Sequence, residues 1–157
     1  MKTFQLSIGN GAALALNSAV PIFQIATPAN LGLVILAIEL DQINDETAQQ
    51  LGARVTRRST ASTLPNAAAA ENLDRRNTAA SGLTFSTTTN AYGVATVTGT
   101  RVAEVRLPSF DARAGLYWEP APERRIHIPP SAFYTLEFEV APGATPTWVP
   151  KFYVEEE

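Results

Sequence analysis

The segment near the C-terminal end alternates between apolar and polar side chains with a period of two. The apolar positions are Tyr134, Leu136, Phe138 and Val140, and the polar positions between them are Thr135, Glu137 and Glu139. Successive side chains of a strand point to opposite faces, so this alternation predicts a strand with one buried and one solvated face. We therefore expect Phe138 to lie in the core and Glu137 and Glu139 to lie on the solvated face.

Two further apolar runs predict neighbouring strands. Residues 31–40, LGLVILAIEL, predict a fully buried strand, since the run is about half as long as the ~20 residues that span a bilayer. Residues 19–27 predict another strand, and the turn residues 28–30 between the two runs predict a hairpin. In the last strand, Trp148, Phe152 and Val154 share one parity and are expected in the core.

Residues 60–81 are the least strand-like part of the chain. Pro65 and Asn66 precede a run of alanines, and this pattern predicts a short helix over residues 67–75. A long irregular connection is the alternative interpretation, and loops of that length are often functional or mobile. Farther along, residues 83–89 are rich in threonine and predict a strand.

The spacing of these runs and turns predicts an all-β, antiparallel fold of about eight strands, arranged as a sandwich or a barrel. No strand–helix–strand rhythm argues for a parallel sheet. The length of 157 residues is ordinary for a single domain, and we find no boundary within residues 1–157. The segment 60–81 is interpreted as a long irregular or short-helical insertion in that domain.

Composition and charge exclude several classes of function. The chain has 12 basic and 15 acidic residues, so it lacks the basic surplus that general nucleic-acid binding requires. It has no cysteine, which rules out disulfides and thiolate metal sites. The N-terminal apolar run is interrupted by glycine and asparagine, which is untypical of a signal peptide. Nothing in the sequence predicts a membrane partner.

No residue pattern predicts catalysis, a cofactor or a metal ion. The only histidine, His127, is interpreted as a surface residue beside the Pro129–Pro130 turn, because a transition-metal site needs further ligands. None of the serines lies in a G-x-S-x-G motif, and the glycines form neither a P-loop nor a dinucleotide-binding pattern. We therefore expect a protein that is not an enzyme and that binds no cofactor.

Two groups of residues are candidates for an interface. Arginine is enriched at protein interfaces, and it occurs here in pairs whose alternative interpretation is ordinary surface charge. Tyr117 and Trp118 lie in a proline-flanked segment and are candidates for an exposed contact, although aromatic residues more often anchor a core or a loop. The candidate interface residues are Arg57, Arg58, Arg75, Arg76, Tyr117 and Trp118.

Most of the chain resembles the accessory virion proteins of tailed bacteriophages, of the jelly-roll or sandwich type that decorates or cements a capsid. The resemblance is carried by alanine- and threonine-rich strands, the absence of cysteine, the segment 60–81, and the ending ERRIHIPPSAFYTLEFEV and TWVPKFYVEEE. It implies a structural protein of the virion, assembled in the host cytoplasm. It also implies a homo-oligomer, a dimer or trimer, that binds and stabilises the major capsid protein.

Two alternatives belong to other classes. A carbohydrate- or receptor-binding module of similar fold would use exposed aromatic side chains, for which Tyr117 and Trp118 are the candidates, and its partner would be a glycan. A cupin-like enzyme is disfavoured, because cupin metal sites use several histidines and this chain has one.

Overall fold

The computed structural model describes residues 2–8, 14–15, 19–43, 48–73, 80–143 and 147–157. The predicted all-β class is confirmed, since the described residues form fourteen strands and one three-residue 3-10 helix at Pro122–Arg124. The number exceeds the eight expected because several strands have only two or three residues. The strands are β1 (Lys2–Ile8), β2 (Leu14–Ala15), β3 (Pro21–Ala26), β4 (Leu33–Gln42), β5 (Gln50–Leu51), β6 (Ala53–Arg58), β7 (Asn66–Asn72), β8 (Ala91–Tyr92), β9 (Arg101–Arg106), β10 (Phe110–Asp111), β11 (Leu116–Trp118), β12 (Ile126–Ile128), β13 (Phe133–Phe138) and β14 (Thr147–Glu156).

Twelve of these strands form one antiparallel sheet, and β5 and β10 form a separate pair. The order in the large sheet is β11-β4-β14-β1-β7-β8-β3-β13-β6-β9, with β12 beside β11 on β4 and β2 beside β1 on β14. We call β11, β12, β4, β14, β2, β1 and β7 the first half, and β8, β3, β13, β6 and β9 the second half. The sheet therefore ends with β11 and β12 on one side and with β9 on the other.

The sheet curls so that its two halves face each other across the core. Phe23 of β3 and Phe152 of β14 lie 5.0 Å apart between ring centroids, although their strands belong to opposite halves. The ring centroids of Phe138 in β13 and Trp148 in β14 lie 5.2 Å apart, and these strands also belong to opposite halves. The predicted core positions Trp148, Phe152 and Val154 are confirmed, since all three are buried.

The apolar run predicted as a buried strand is confirmed as β4, but the predicted hairpin with β3 is wrong. β3 pairs with β8 and β13, whereas β4 pairs with β14, β11 and β12. β4 and β14 each have ten residues and pair over nine positions, so β14 offers β4 far more hydrogen bonds than the six-residue β3. The pairing of β4 with the distant β14 thus outweighs the hairpin that the turn at residues 28–30 predicts.

The predicted helix over residues 67–75 is wrong where the structure describes it. Residues 66–72 form β7, which pairs with β1 along five positions and with β8 along two. The alanine run has a high helix propensity, but propensity is a weak prior that tertiary pairing overrides. Ala68 is buried against the core, and the small side chains suit the close passage between the two halves. Residues 74 and 75, the end of the predicted helix, lie outside the described residues.

The threonine-rich strand predicted over residues 83–89 is also wrong, because these residues form turns and irregular structure. Several of their backbone groups bond to side chains, and Thr87 O accepts from Leu64 N at 2.9 Å. Gln24 Nε2 donates to the carbonyl oxygens of Thr88 and Thr89, each at 2.9 Å, and Asn90 Nδ2 donates to Thr84 O at 2.8 Å. The segment therefore packs over the second half of the sheet.

The structure corrects the prediction that one face of β13 is solvated. Glu137 was expected on a solvated face, but only 1% of its surface is exposed, and Thr135 beside it is equally buried. Val140 was expected in the core, but it follows the strand and is 68% exposed. On the polar face, Gln24 and Arg58 flank Thr135, and they bond in turn to Ser62 and Gly99, which are remote from β13 in sequence. Both faces of β13 are therefore buried, one by the apolar core and one by a polar layer.

Gly99 marks the tightest point of that polar layer. Its N–H donates to Ser62 Oγ at 3.0 Å, and a Cβ atom at this position would lie 2.0 Å from Thr60 O. No side chain fits such an approach, so glycine lets the chain return across the polar face of the sheet.

Candidate functional site

The last strand of the sheet, β9, presents an exposed edge. Within the described residues β9 pairs with β6 alone, and all six of its residues are exposed. Val102 and Val105 are 57% and 43% exposed, respectively. An exposed edge strand offers a row of unpaired N–H and C=O groups to another chain.

The hydrogen-bond pattern identifies which backbone N–H and C=O groups of β9 point away from β6. Leu107 N donates to Ala53 O at 2.9 Å, so residues 53 and 107 form a hydrogen-bonded pair. Antiparallel ladders alternate between bonded and non-bonded pairs, and Val105 is therefore also bonded to β6, opposite Val55. The backbone groups of Glu104 and Arg106 consequently point away from β6, into the open edge.

A groove separates β9 from the segment that follows β11. It has a volume of about 600 Å³ and is lined on one side by Val105 and Leu107 and on the other by Trp118 and Pro120. A smaller hollow of about 180 Å³ continues from Val105 beneath the edge. The floor is apolar, whereas the rim carries Arg57, Arg106 and Arg124 together with Glu104 and Glu119. The groove is the opening left between the two ends of the curled sheet.

A buried charge cluster holds β9 against the rest of the second half. Glu137 of β13 accepts hydrogen bonds from Arg54 Nε at 2.7 Å, Arg58 Nη2 at 2.5 Å, and Arg101 Nη2 at 3.2 Å. Thr56 Oγ1 donates to the same carboxylate at 3.0 Å. A buried charge is tolerated only when it is paired and hydrogen-bonded in this way. Since Arg101 belongs to β9, the cluster fixes the position of the open edge.

Glu104 extends this cluster to the surface. Its carboxylate lies 3.3 Å from Arg54 Nη1, 3.2 Å from Arg101 Nη1 and 3.4 Å from Arg106 Nε. Arg106 also lies 3.3 Å from Glu139 Oε1. The outer face of β9 therefore carries alternating charges on a fixed backbone.

The arginine pairs predicted for an interface have different environments. Arg57 is exposed and lines the hollow beneath β9, whereas Arg58 is only 4% exposed. Neighbouring residues of a strand point to opposite faces, and here one face meets the groove and the other meets the polar layer. Burial argues against an interface role for Arg58, and Arg57 stays a candidate. Arg75 and Arg76 lie outside the described residues.

Tyr117 and Trp118 do not form one aromatic surface. Tyr117 is 62% exposed and donates a hydrogen bond to Glu119 Oε2 at 3.0 Å, whereas Trp118 is partly buried and packs against the core. The two side chains point to opposite faces of β11. Trp118 therefore belongs to the groove, and Tyr117 belongs to the outer face of the first half. Sequence reasoning missed the β9 edge, although the three charged residues in RVAEVR and the nearby Pro108 are a signal for an exposed edge strand.

The outer face of the first half carries a second polar cluster, near Tyr117. Tyr153 donates to Glu39 Oε2 at 2.8 Å, and partial burial together with this bond raises the pKa of Tyr153 to about 12. Lys151 Nζ lies 2.6 Å from Asp41 Oδ2 and 3.3 Å from Glu39 Oε2. Burial opposes the charge of Lys151, but the contacts with Asp41 and Glu39 together raise its pKa. The polar side chains of this cluster therefore serve as hydrogen-bond and ion-pair partners for one another.

His127 lies on the same face and is exposed, as the sequence predicts, with Nδ1 3.5 Å from Glu157 Oε1. Within the described ranges, His, Asp and Glu side chains form no group of three that could hold a metal ion. The described residues also contain no helix with the length and apolarity needed to cross a membrane. No family model, no curated protein and no solved structure matches the chain.

Proposed function

We propose that this protein is a non-enzymatic structural protein that builds assemblies through protein–protein contacts, with β9 as its binding edge. The observation that carries the proposal is a six-residue edge strand whose residues are all exposed, which pairs with β6 alone among the described strands, and which is flanked by an apolar groove. Addition of a strand to such an edge gains main-chain hydrogen bonds, and adjacent pockets supply specificity. The buried cluster around Glu137 supports this role, because it holds the edge in place before a partner arrives.

The proposed setting is a phage particle, and this rests on the resemblance of the sequence to capsid decoration and cement proteins. In that setting the protein binds and stabilises the major capsid protein, and the virion is its location. The finer fold description belongs to the same proposal. Two sheet halves that face each other across one core support a sandwich, and a jelly-roll connectivity stays a prediction.

Binding to capsids that lack this protein tests the proposal. Val105→Arg places a charge on the apolar side of β9 and is expected to weaken binding at least tenfold. Val97→Arg is the matched control, since Val97 is 58% exposed and lies outside β9. Equal binding by the wild type and Val105→Arg would exclude β9 as an edge on which capsid binding depends. No binding of the wild type to capsids or to any virion component would remove the phage setting.

Glycan binding is the second candidate function, and the exposed ring of Tyr117 favours it. Aromatic rings combine an apolar face with a polar tip, and here the carboxylate of Glu119 lies within hydrogen-bond distance. A glycan array with the wild type and with Tyr117→Ala and Trp118→Ala variants tests this function. Absence of any glycan signal from the wild type, or a signal unchanged in both variants, would exclude it.

A further inference from the structure

We infer that β9 strands of two copies of this chain pair with each other, antiparallel, with Glu104 opposite the partner's Arg106. The inference rests on the proposed function of β9 as a binding edge and names the partner, which is a second copy. It follows from the order of charged and apolar residues along β9 and from the direction of its open backbone groups.

The open backbone groups restrict the register. Those of Glu104 and Arg106 point away from β6, so a new strand must place its own outward-facing residues opposite them. A twofold axis at Val105 meets this condition and sets Glu104 opposite the partner's Arg106 twice. Opposite charges directly across an antiparallel pair are favourable, and like charges are unfavourable.

Neighbouring registers are less favourable for the same reason. Moving the axis by one residue places Glu104 opposite the partner's Glu104, or Arg106 opposite the partner's Arg106. Charged residues usually prevent edge strands from pairing. In β9 the order of the charges instead makes the edge complementary to itself in one register, as a twofold interface requires.

The apolar side of β9 supports the same register. Val105 lies on the axis in a non-hydrogen-bonded pair, where the two Cα atoms approach to about 4.5 Å and the side chains meet. It is 43% exposed in the single chain, so pairing removes apolar surface from water on both copies. Pro108 has no N–H and therefore ends the ladder shortly after Arg106.

Cysteine cross-linking tests the register, because the chain contains no cysteine. Val105→Cys brings two thiols together at the axis, within the Cα separation of ~4.4–6.8 Å that a disulfide accepts. Ala103→Cys is the matched control, because residue 103 faces the partner's residue 107 and the two cysteines lie about 14 Å apart. We expect a disulfide-linked dimer from Val105→Cys under mild oxidation and none from Ala103→Cys. Cross-linking through Ala103→Cys alone would overturn the register.

A charge exchange gives an independent readout. Glu104→Arg and Arg106→Glu each place like charges opposite each other, and each is expected to raise the dimer Kd at least tenfold in sedimentation or light scattering. A mixture of the two single variants restores both opposite-charge pairs, so it is expected to form a heterodimer. Circular dichroism confirms that each variant is folded. A mixture that stays monomeric would overturn the pairing.

Different results would overturn the self-pairing of β9 and its proposed function as a binding edge. A wild type that is monomeric at submillimolar concentration, with no Val105→Cys cross-link, would overturn self-pairing. If Val105→Arg still lost capsid binding in that case, β9 would remain the binding edge for another protein. If Val105→Arg also bound capsids as the wild type does, the proposed function of β9 would fail as well.

Discussion

Glu137 Oε2 lies 2.5 Å from Arg58 Nη2, and both side chains are almost completely withdrawn from water. The two residues belong to the paired strands β13 and β6. Arg58 also donates to Thr135 Oγ1 at 2.9 Å and to the carbonyl oxygen of Gly99. The pair therefore links the curled sheet, the polar layer above it and, through Arg101, the open edge of β9.

Replacing Glu137 by glutamine should destabilise the protein by about 3–5 kcal/mol, because removal of one partner leaves a buried charge uncompensated. Urea unfolding measures the change in the free energy of unfolding. Glu139→Gln is the matched control on the same side of the strand. Its contact is with Arg106, whose side chain is 70% exposed, so its loss should cost at most about 1 kcal/mol. Equal losses in the two variants would contradict a specific role for Glu137.

Arg57 and Arg58 form a second matched pair. Arg58→Met removes the closest cation from Glu137 and should cost about 3–5 kcal/mol. Arg57→Met changes an exposed side chain and should stay within about 0.5 kcal/mol of the wild type. Thermal or urea unfolding measures both. A large loss from Arg57→Met would show that the groove side of β6 also contributes to stability.

These pairs show what the sequence can and cannot predict. Alternation along residues 134–140 identifies a strand, because period two is a local property of the backbone. It cannot tell whether water or another segment covers the polar face. Here Arg54, Arg58 and Arg101 surround the Glu137 carboxylate, and Gly99, remote in sequence, accepts a hydrogen bond from Arg58. The same limit applies to Arg58, whose environment depends on β13 and on the polar layer.

The β9 edge illustrates the other limit. Its strand character is visible in the sequence, but a strand becomes an edge only through the order of the whole sheet. That order depends on long-range pairs such as β4 with β14, which no local turn signal encodes. Core positions such as Trp148 and Phe152 were predictable because hydrophobic burial follows residue type and parity.

Gln24 provides a test of the polar layer. Its Nε2 donates to Ser62 O, Thr88 O and Thr89 O, and its Oε1 accepts from Ser62 N at 2.6 Å. Gln24→Leu removes the side chain that bonds to the buried N–H and C=O of Ser62, and each such group left without a partner costs about 1–3 kcal/mol. We expect a loss of stability and faster amide exchange at Ser62.

The exposed residue Gln50 of β5 is the control for that substitution, and Gln50→Leu should change neither quantity. If Gln24→Leu also left amide exchange at Ser62 unchanged, the polar layer would not depend on this side chain.

Tyr153 gives the fold a dependence on pH in the alkaline range. Its pKa is raised to about 12, above the ordinary value of ~10. Partial burial is the larger cause, and the hydrogen bond to Glu39 is the next. The folded state thus holds the phenolic proton more tightly than the unfolded state does. The resulting stability is fully present below pH ~10 and is lost as the pH rises towards about 12.

Tyr153→Phe removes this titration, so the difference in unfolding free energy between wild type and variant should change between pH ~10 and about 12. The ultraviolet absorbance of tyrosinate should show one late-titrating group in the wild type that the variant lacks. Glu39→Gln is the complementary change, because it removes the carboxylate that accepts the hydrogen bond and leaves the partial burial of Tyr153 unchanged. It should lower the pKa of Tyr153 without returning it to the ordinary value. A wild type and a Tyr153→Phe variant that lose stability in parallel over this range would contradict the assignment to Tyr153.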